Sequence, residues 1–179
     1  MKTLVLIFSI FLVLSCKNGN NTDIKSIDSP IKTVVKDDIL NITLHFKTSE
    51  DDTFELFFVD DHPDTSFSES KKLVRNIKGS DTYQVVTFSL PEQVFPYHLR
   101  LDIGDNSIQQ ETPVEIKSIR FQLNANTFEI DGAIMDSFFQ PNAFLEPSYN
   151  GYLRQIRDGK YDPFLVAKPI LIKKMELEL

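Results

Sequence analysis

From about Val34 the chain alternates apolar and polar residues with a period of two. Leu40, Ile42, Leu44 and Phe46 alternate with Asn41, Thr43, His45 and Lys47. Successive side chains of a strand point to opposite faces, so this segment predicts a strand with one face in a core and one in water. Phe54, Leu56 and Phe58 repeat the pattern, but Phe57 and Val59 make that strand apolar on both faces, so it is expected to be central or covered. Val86, Phe88 and Leu90 mark a third strand, stopped by Pro91. Tyr97, Leu99, Leu101 and Ile103 alternate with His98, Arg100 and Asp102, after which Gly104-Asp105-Asn106 turns the chain.

The next strand changes phase. Val114 and Ile116 fall on even positions, and Ile119, Phe121 and Leu123 on odd ones. A strand cannot switch faces without an extra residue, so a bulge is expected near Lys117-Ser118. Asn124-Ala125-Asn126 reads as a short turn before Phe128-Glu129-Ile130. Residues 133–139 and 148–157 fit either a helical turn or a short strand. Met175, Leu177 and Leu179 alternate with Lys174, Glu176 and Glu178, and predict a final strand over Leu171–Leu179. No segment carries a sustained helical stripe. Eight or so strands with regular turn signals predict an all-β fold, an antiparallel β-sandwich of jelly-roll-like topology. The same alternation also fits an immunoglobulin-like sandwich.

The first 33 residues are built differently. Lys2 precedes a nearly unbroken apolar run, Leu4 to Leu14, closed by Ser15. This is the layout of a secretory signal helix. The run is shorter than the roughly 20 apolar residues that span a bilayer. Val13-Leu14-Ser15-Cys16 resembles the lipobox of bacterial lipoproteins, and Cys16 is the only cysteine of the chain. The resemblance implies that residues 1–15 are removed and that Cys16 is acylated. Two acyl chains anchor a protein stably where one does not. Lys17 and Asn18 follow Cys16, without the Asp of the familiar inner-membrane retention signal. That implies an outer-membrane anchor, on the periplasmic face or at the cell surface. Residues 16–33 then form the lipidated cysteine and a polar tether, and residues 34–179 one domain.

Charge narrows the partners. The formal net charge is −7, which argues against nucleic acid and against electrostatic adhesion to anionic lipid. With Cys16 acylated, no thiol remains for a disulfide, a metal or nucleophilic catalysis. Stability must come from the core, for which thirteen of the fifteen phenylalanines, those after Ser15, are available, while Trp is absent.

Candidate chemistry is sparse. His45, His62 and His98 stand in no catalytic motif, and His45 and His98 fall on polar strand faces, so the domain is expected to be non-catalytic. No cofactor is expected except a structural calcium ion, which takes six to eight oxygen ligands. Three acidic stretches offer such oxygens. They are Glu50-Asp51-Asp52, Asp60-Asp61 with Asp64, and Asp102 with Asp105 and Asn106. The third lies at a strand end, and the ordinary reading of all three is acidic turns. Lys71, Lys72 and Arg75 form a small basic island, read as a solvated strand face. A ligand-binding rim is expected from Tyr149, Asn150, Tyr152, Arg154, Arg157 and Tyr161. Sugar rings stack their C–H faces on aromatic rings, while Asn and Arg hydrogen-bond hydroxyls. Tyrosines half-packed against the sandwich would give the same composition.

Val86-x-Phe88-x-Leu90-Pro91, then Pro96-x-x-Leu99-Arg100-Leu101-Asp102-x-Gly104 and Val114-x-Ile116-x-x-Ile119 resemble the jelly-roll modules of carbohydrate-binding and galactose-binding-like proteins in Bacteroidota-type envelopes. The resemblance spans roughly residues 80–125 and carries over no sugar-contacting residue. It implies a lipid-anchored binding module for a glycan or another envelope component. The alternative expectation is a structural subunit that docks onto an envelope protein through a strand edge or an apolar patch.

Overall fold

Eleven strands form among the described residues of the computed structural model, which are 38–61, 66–105 and 111–179. In chain order they are β1 (Leu40–Lys47), β2 (Asp52–Val59), β3 (Lys72–Ile77), β4 (Gln84–Ser89), β5 (His98–Asp102) and β6 (Pro113–Leu123). There follow β7 (Asn126–Asp131), β8 (Phe139–Pro141), β9 (Leu145–Ser148), β10 (Gly151–Arg154) and β11 (Phe164–Ala167). A 3-10 turn at Gly132–Ile134 leads into a one-turn helix, α1 (Met135–Phe138), and the chain closes with α2 (Pro169–Glu178). The expected signal segment, Cys16 and the expected tether lie outside the described residues.

Two antiparallel sheets pack face to face. One runs β4-β1-β6-β10-β9, with β7 also paired to β6, and the other runs β3-β2-β5-β11-β8. Consecutive strands take matching places in the two orders: β4 with β3, β1 with β2, β6 with β5, β10 with β11, β9 with β8. The chain therefore crosses between sheets at most connections, the winding of a jelly roll rather than of an immunoglobulin-like sandwich. Apolar positions of both inner faces meet in one core. Phe46 and Phe54 pack across it with ring centroids 5.0 Å apart, and Phe121 stacks on Phe128 at 4.9 Å. Each such side chain contributes about 1.5–3 kcal/mol through burial.

The doubly apolar segment is central, since β2 lies between β3 and β5. Its outward residue Phe57 is covered by Phe67 and by the cationic heads of Lys72 and Arg100, 5.4 and 5.3 Å from its ring centroid. Of the basic island, Lys72 and Arg75 fall on β3, an edge strand, where Lys72 bonds Glu55 and Arg75 bonds main-chain carbonyls, while Lys71 precedes the strand and pairs with Asp60 and Asp61.

The C-terminal segment is not a strand. Pro169 stands at the first turn of α2, where its fixed φ suits a helix start. Leu171, Ile172 and Met175 are buried while Leu177 is 73% exposed. That is the spacing of a helical stripe, one face at i, i+1 and i+4. The apparent alternation of Met175, Leu177 and Leu179 is a by-product of Lys and Glu filling the exposed helical positions. Lys173 pairs with Glu176 and Lys174 with Glu178 along the outer face.

Candidate functional site

The phase change in β6 builds one wall of the site. Opposite β1, His45 pairs with Ser118 and Phe46 with Ile116, so Lys117 is the extra residue. The bulge keeps Ile116 and Ile119 both in the core, at 3% and 1% exposure, and turns Lys117 outward. Bulges re-aim side chains in this way beside binding sites. The Lys117 ammonium lies 5.9 Å from the centroid of the Tyr83 ring, and the Lys47 ammonium 5.8 Å from it. His45 meets the same ring edge-on, at 5.4 Å and 76°.

Glu115 holds this group together. Its carboxylate accepts from the Tyr83 hydroxyl at 2.9 Å and from Lys47 at 2.6 Å. The Asn150 side chain bonds it as well. The Lys47 contact, aided by Tyr83, holds the Glu115 carboxyl below its ordinary range. The same carboxylate raises the Lys47 ammonium and the Tyr83 phenol. At neutral pH Glu115 is therefore a carboxylate, Lys47 an ammonium and Tyr83 a neutral phenol.

The β9–β10 hairpin supplies the other wall. Ser148 pairs with Gly151, which leaves the two-residue loop Tyr149-Asn150 at the tip. The loop rests on β6, where the Ile116 amide donates to the Asn150 carbonyl at 2.7 Å. Gly151 permits the approach: a Cβ there would lie 2.1 Å from the Val114 carbonyl oxygen. Gly132 presses on the bulge in the same way, since its Cβ would meet the Ile116 carbonyl at 1.8 Å. From this braced loop Tyr149 projects with 98% of its surface exposed.

Two shallow depressions flank Tyr149. The larger, about 170 Å³, is lined by Tyr83, Lys117, Asp131 and Asn150. The smaller, about 100 Å³, is lined by Asp136, Pro147, Ser148 and Tyr152. In the larger, Asp131 Oδ1 accepts from the Ala133 amide at 2.8 Å. In the smaller, the Tyr152 hydroxyl donates to Asp136 Oδ1 at 2.5 Å. Burial, with this bond added, raises the Tyr152 phenol far above its ordinary value, so it remains a donor. The surface offers an aromatic platform between fixed hydrogen-bonding groups of both kinds.

The six residues expected to form one rim separate. Tyr149 and Asn150 stand in the site. Tyr152 is 2% exposed and reaches it from beneath with its hydroxyl. Arg154, two residues on and on the same inward face of β10, is fully buried and bonds Asp52, the Ile103 carbonyl and Thr112. Arg157 is exposed and donates to Gln155 at 2.6 Å, beside a tight turn through Asp158 and Gly159, both at positive φ. Tyr161 is 2% exposed and packs its hydroxyl against Gly104. The sequence reading missed Tyr83, Glu115 and Lys117. The phase change around Lys117 was the available signal.

Of the expected calcium ligands, Asp102 gives both oxygens to Arg100, at 2.7 Å each. Burial pushes its carboxyl up to about 6, against the pull of Arg100. The Asp105 amide donates to Asp52, and Asn106 lies outside the described residues, as do His62 and Asp64. Among the described residues no helix is long and apolar enough to cross a membrane.

No protein-family model matches this chain, and no curated protein and no solved structure matches it.

Proposed function

We propose that the chain is an exported lipoprotein, held in the cell envelope by an acylated Cys16, whose sandwich binds a glycan without transforming it. One observation carries the binding reading: Tyr149 is 98% exposed at the tip of a braced two-residue loop. A solvated ring forgoes about 1.5–3 kcal/mol of burial. A stiff aromatic beside fixed polar groups regains that energy when a partner covers it, at little entropic cost. Sugar rings suit the arrangement, with C–H faces for Tyr149 and hydroxyls for Asn150, Lys117 and the carboxylates. The address rests on residues 1–16 of the sequence.

A second reading is docking onto an envelope protein through β4. This strand is a sheet edge with neither Pro nor charge, and Val85 on it is 65% exposed. Such an edge templates a partner strand. Arg75 already donates to the Thr87 carbonyl of that edge at 3.0 Å, which leaves less of it open.

A glycan array probed with the full chain in detergent, beside its Tyr149→Ala variant, tests the first reading. Signal on a related set of glycans, lost in the variant, is the expected result. A blank array together with one stoichiometric protein partner from envelope extract overturns it in favour of the edge.

A further inference from the structure

We infer, resting on the glycan-binding reading above, that the ligand is an oligosaccharide of at least two rings straddling Tyr149, and that Asp136, positioned by Tyr152, seats an uncharged ring through its vicinal hydroxyls. Both depressions include Tyr149 and Ala133 in their lining, so Tyr149 is the ridge between two adjacent hollows. At about 170 and 100 Å³, each is smaller than the roughly 300 Å³ at which pockets begin to enclose a small molecule. Neither hollow encloses a ligand by itself, and one lying over the ridge can dip into both.

The two hollows are built alike. Each holds one aspartate whose Oδ1 is fixed by a protein donor, the Ala133 amide for Asp131 and the Tyr152 hydroxyl for Asp136. The bond shown in each case falls on Oδ1. A carboxylate accepts only, with about four lone-pair sites, and two neighbouring hydroxyls fill the remaining ones. The hollows differ in charge. Lys117 lines the larger, while no cation lines the smaller. An acidic sugar is thus disfavoured over Asp136. The Lys168 ammonium is taken by the Asp136 main-chain carbonyl at 2.5 Å, and the Tyr152 hydroxyl, from beneath, holds the carboxylate before any ligand arrives.

Calorimetric titration of the full chain tests this with four series, each of one, two and three rings: glucose to cellotriose, mannose to mannotriose, N-acetylglucosamine to chitotriose, and galacturonate to its trimer. In a series that binds, the two-ring member is expected to bind about tenfold or more tighter than the single ring. Asp136→Asn is expected to remove that gain. Tyr152→Phe is expected to shrink the gain by less than Asp136→Asn does. Tyr149→Ala is expected to weaken binding at every length by about thirtyfold or more. Equal affinity for one and two rings overturns the inference, and so does equal loss for all lengths in Asp136→Asn or a preference for the galacturonate series. In those cases the binding reading survives. Absence of binding in every series, with a blank array, overturns both. Asp136 is exposed, and unchanged thermal unfolding of its variant confirms that the fold is intact.

Discussion

Arg154 on β10 and Asp52 at the start of β2 form an ion pair in which neither side chain exposes any surface. The pair joins the two sheets. Arg154 also donates to the Thr112 and Ile103 carbonyls at 3.0 Å each, and Asp52 accepts from the Thr53 and Asp105 amides at 2.7 and 2.9 Å. Every charge is thereby satisfied, and the strand leading away from Tyr149 is pinned to the opposite sheet.

Removing one partner strands the other charge in the core. Arg154→Met and Asp52→Leu are each expected to lower stability by about 3–5 kcal/mol. The double variant is expected to recover part of that loss, because two apolar side chains leave no buried charge unpaired. Urea unfolding of the three variants checks this. Additive losses in the double variant would show that the two side chains act independently.

Asp102 sets a pH dependence. Its carboxyl titrates near 6 in the folded state, raised chiefly by burial, against an ordinary value of 3.8. The folded state therefore binds this proton more tightly than the unfolded chain does. Its contribution is fully present below about pH 4 and is lost as pH rises through about 6. Asp102→Asn is expected to flatten that part of the stability profile. Chemical denaturation at intervals from pH 4 to 7 measures it. An unchanged slope in the variant contradicts the assignment, because Arg100 also bonds Asp162, at 2.8 Å, and keeps a partner throughout.

The terminal helix yields a sharp contrast. Leu171 is fully buried and Leu177 is 73% exposed. Leu171→Ala is expected to cost about 2–5 kcal/mol, and Leu177→Ala less than about 0.5 kcal/mol. A strand over the same residues would place both side chains on one face and give similar losses. Paired thermal unfolding of the two variants distinguishes the arrangements.

Period-two alternation was legible wherever a strand is long and half-buried, as in β1 and β5, because burial on one face writes the pattern directly. The bulge was legible for the same reason: a single extra residue, Lys117, is the only way to keep Ile116 and Ile119 in one core. The short strands β8 to β11 have three or four residues, too few to show a period. Pro141 and Pro147 also disguise two of them, at sheet margins where a missing amide is tolerated. The helix was hidden because Lys and Glu interleave with Met175, Leu177 and Leu179 in a pattern that fits both periods. In the site, Tyr149 and Asn150 were legible as residue types suited to a ligand. Tyr83 was not, since its approach depends on how β4, β1 and β6 align. The inward turn of Tyr152 and Arg154 followed only from the β10 register.

Equilibrium titration of the wild type and Tyr149→Ala, each against the strongest glycan from the array, tests the central claim most directly. The wild type has no Trp, so tyrosine emission or calorimetry serves as the readout. A solvent-exposed aromatic anchor is expected to supply about 2 kcal/mol or more of binding, a loss of about thirtyfold in affinity. That loss, with unfolding of the variant unchanged, is the predicted result. Equal affinity in the two proteins would contradict the account and move the ligand away from the β9–β10 hairpin.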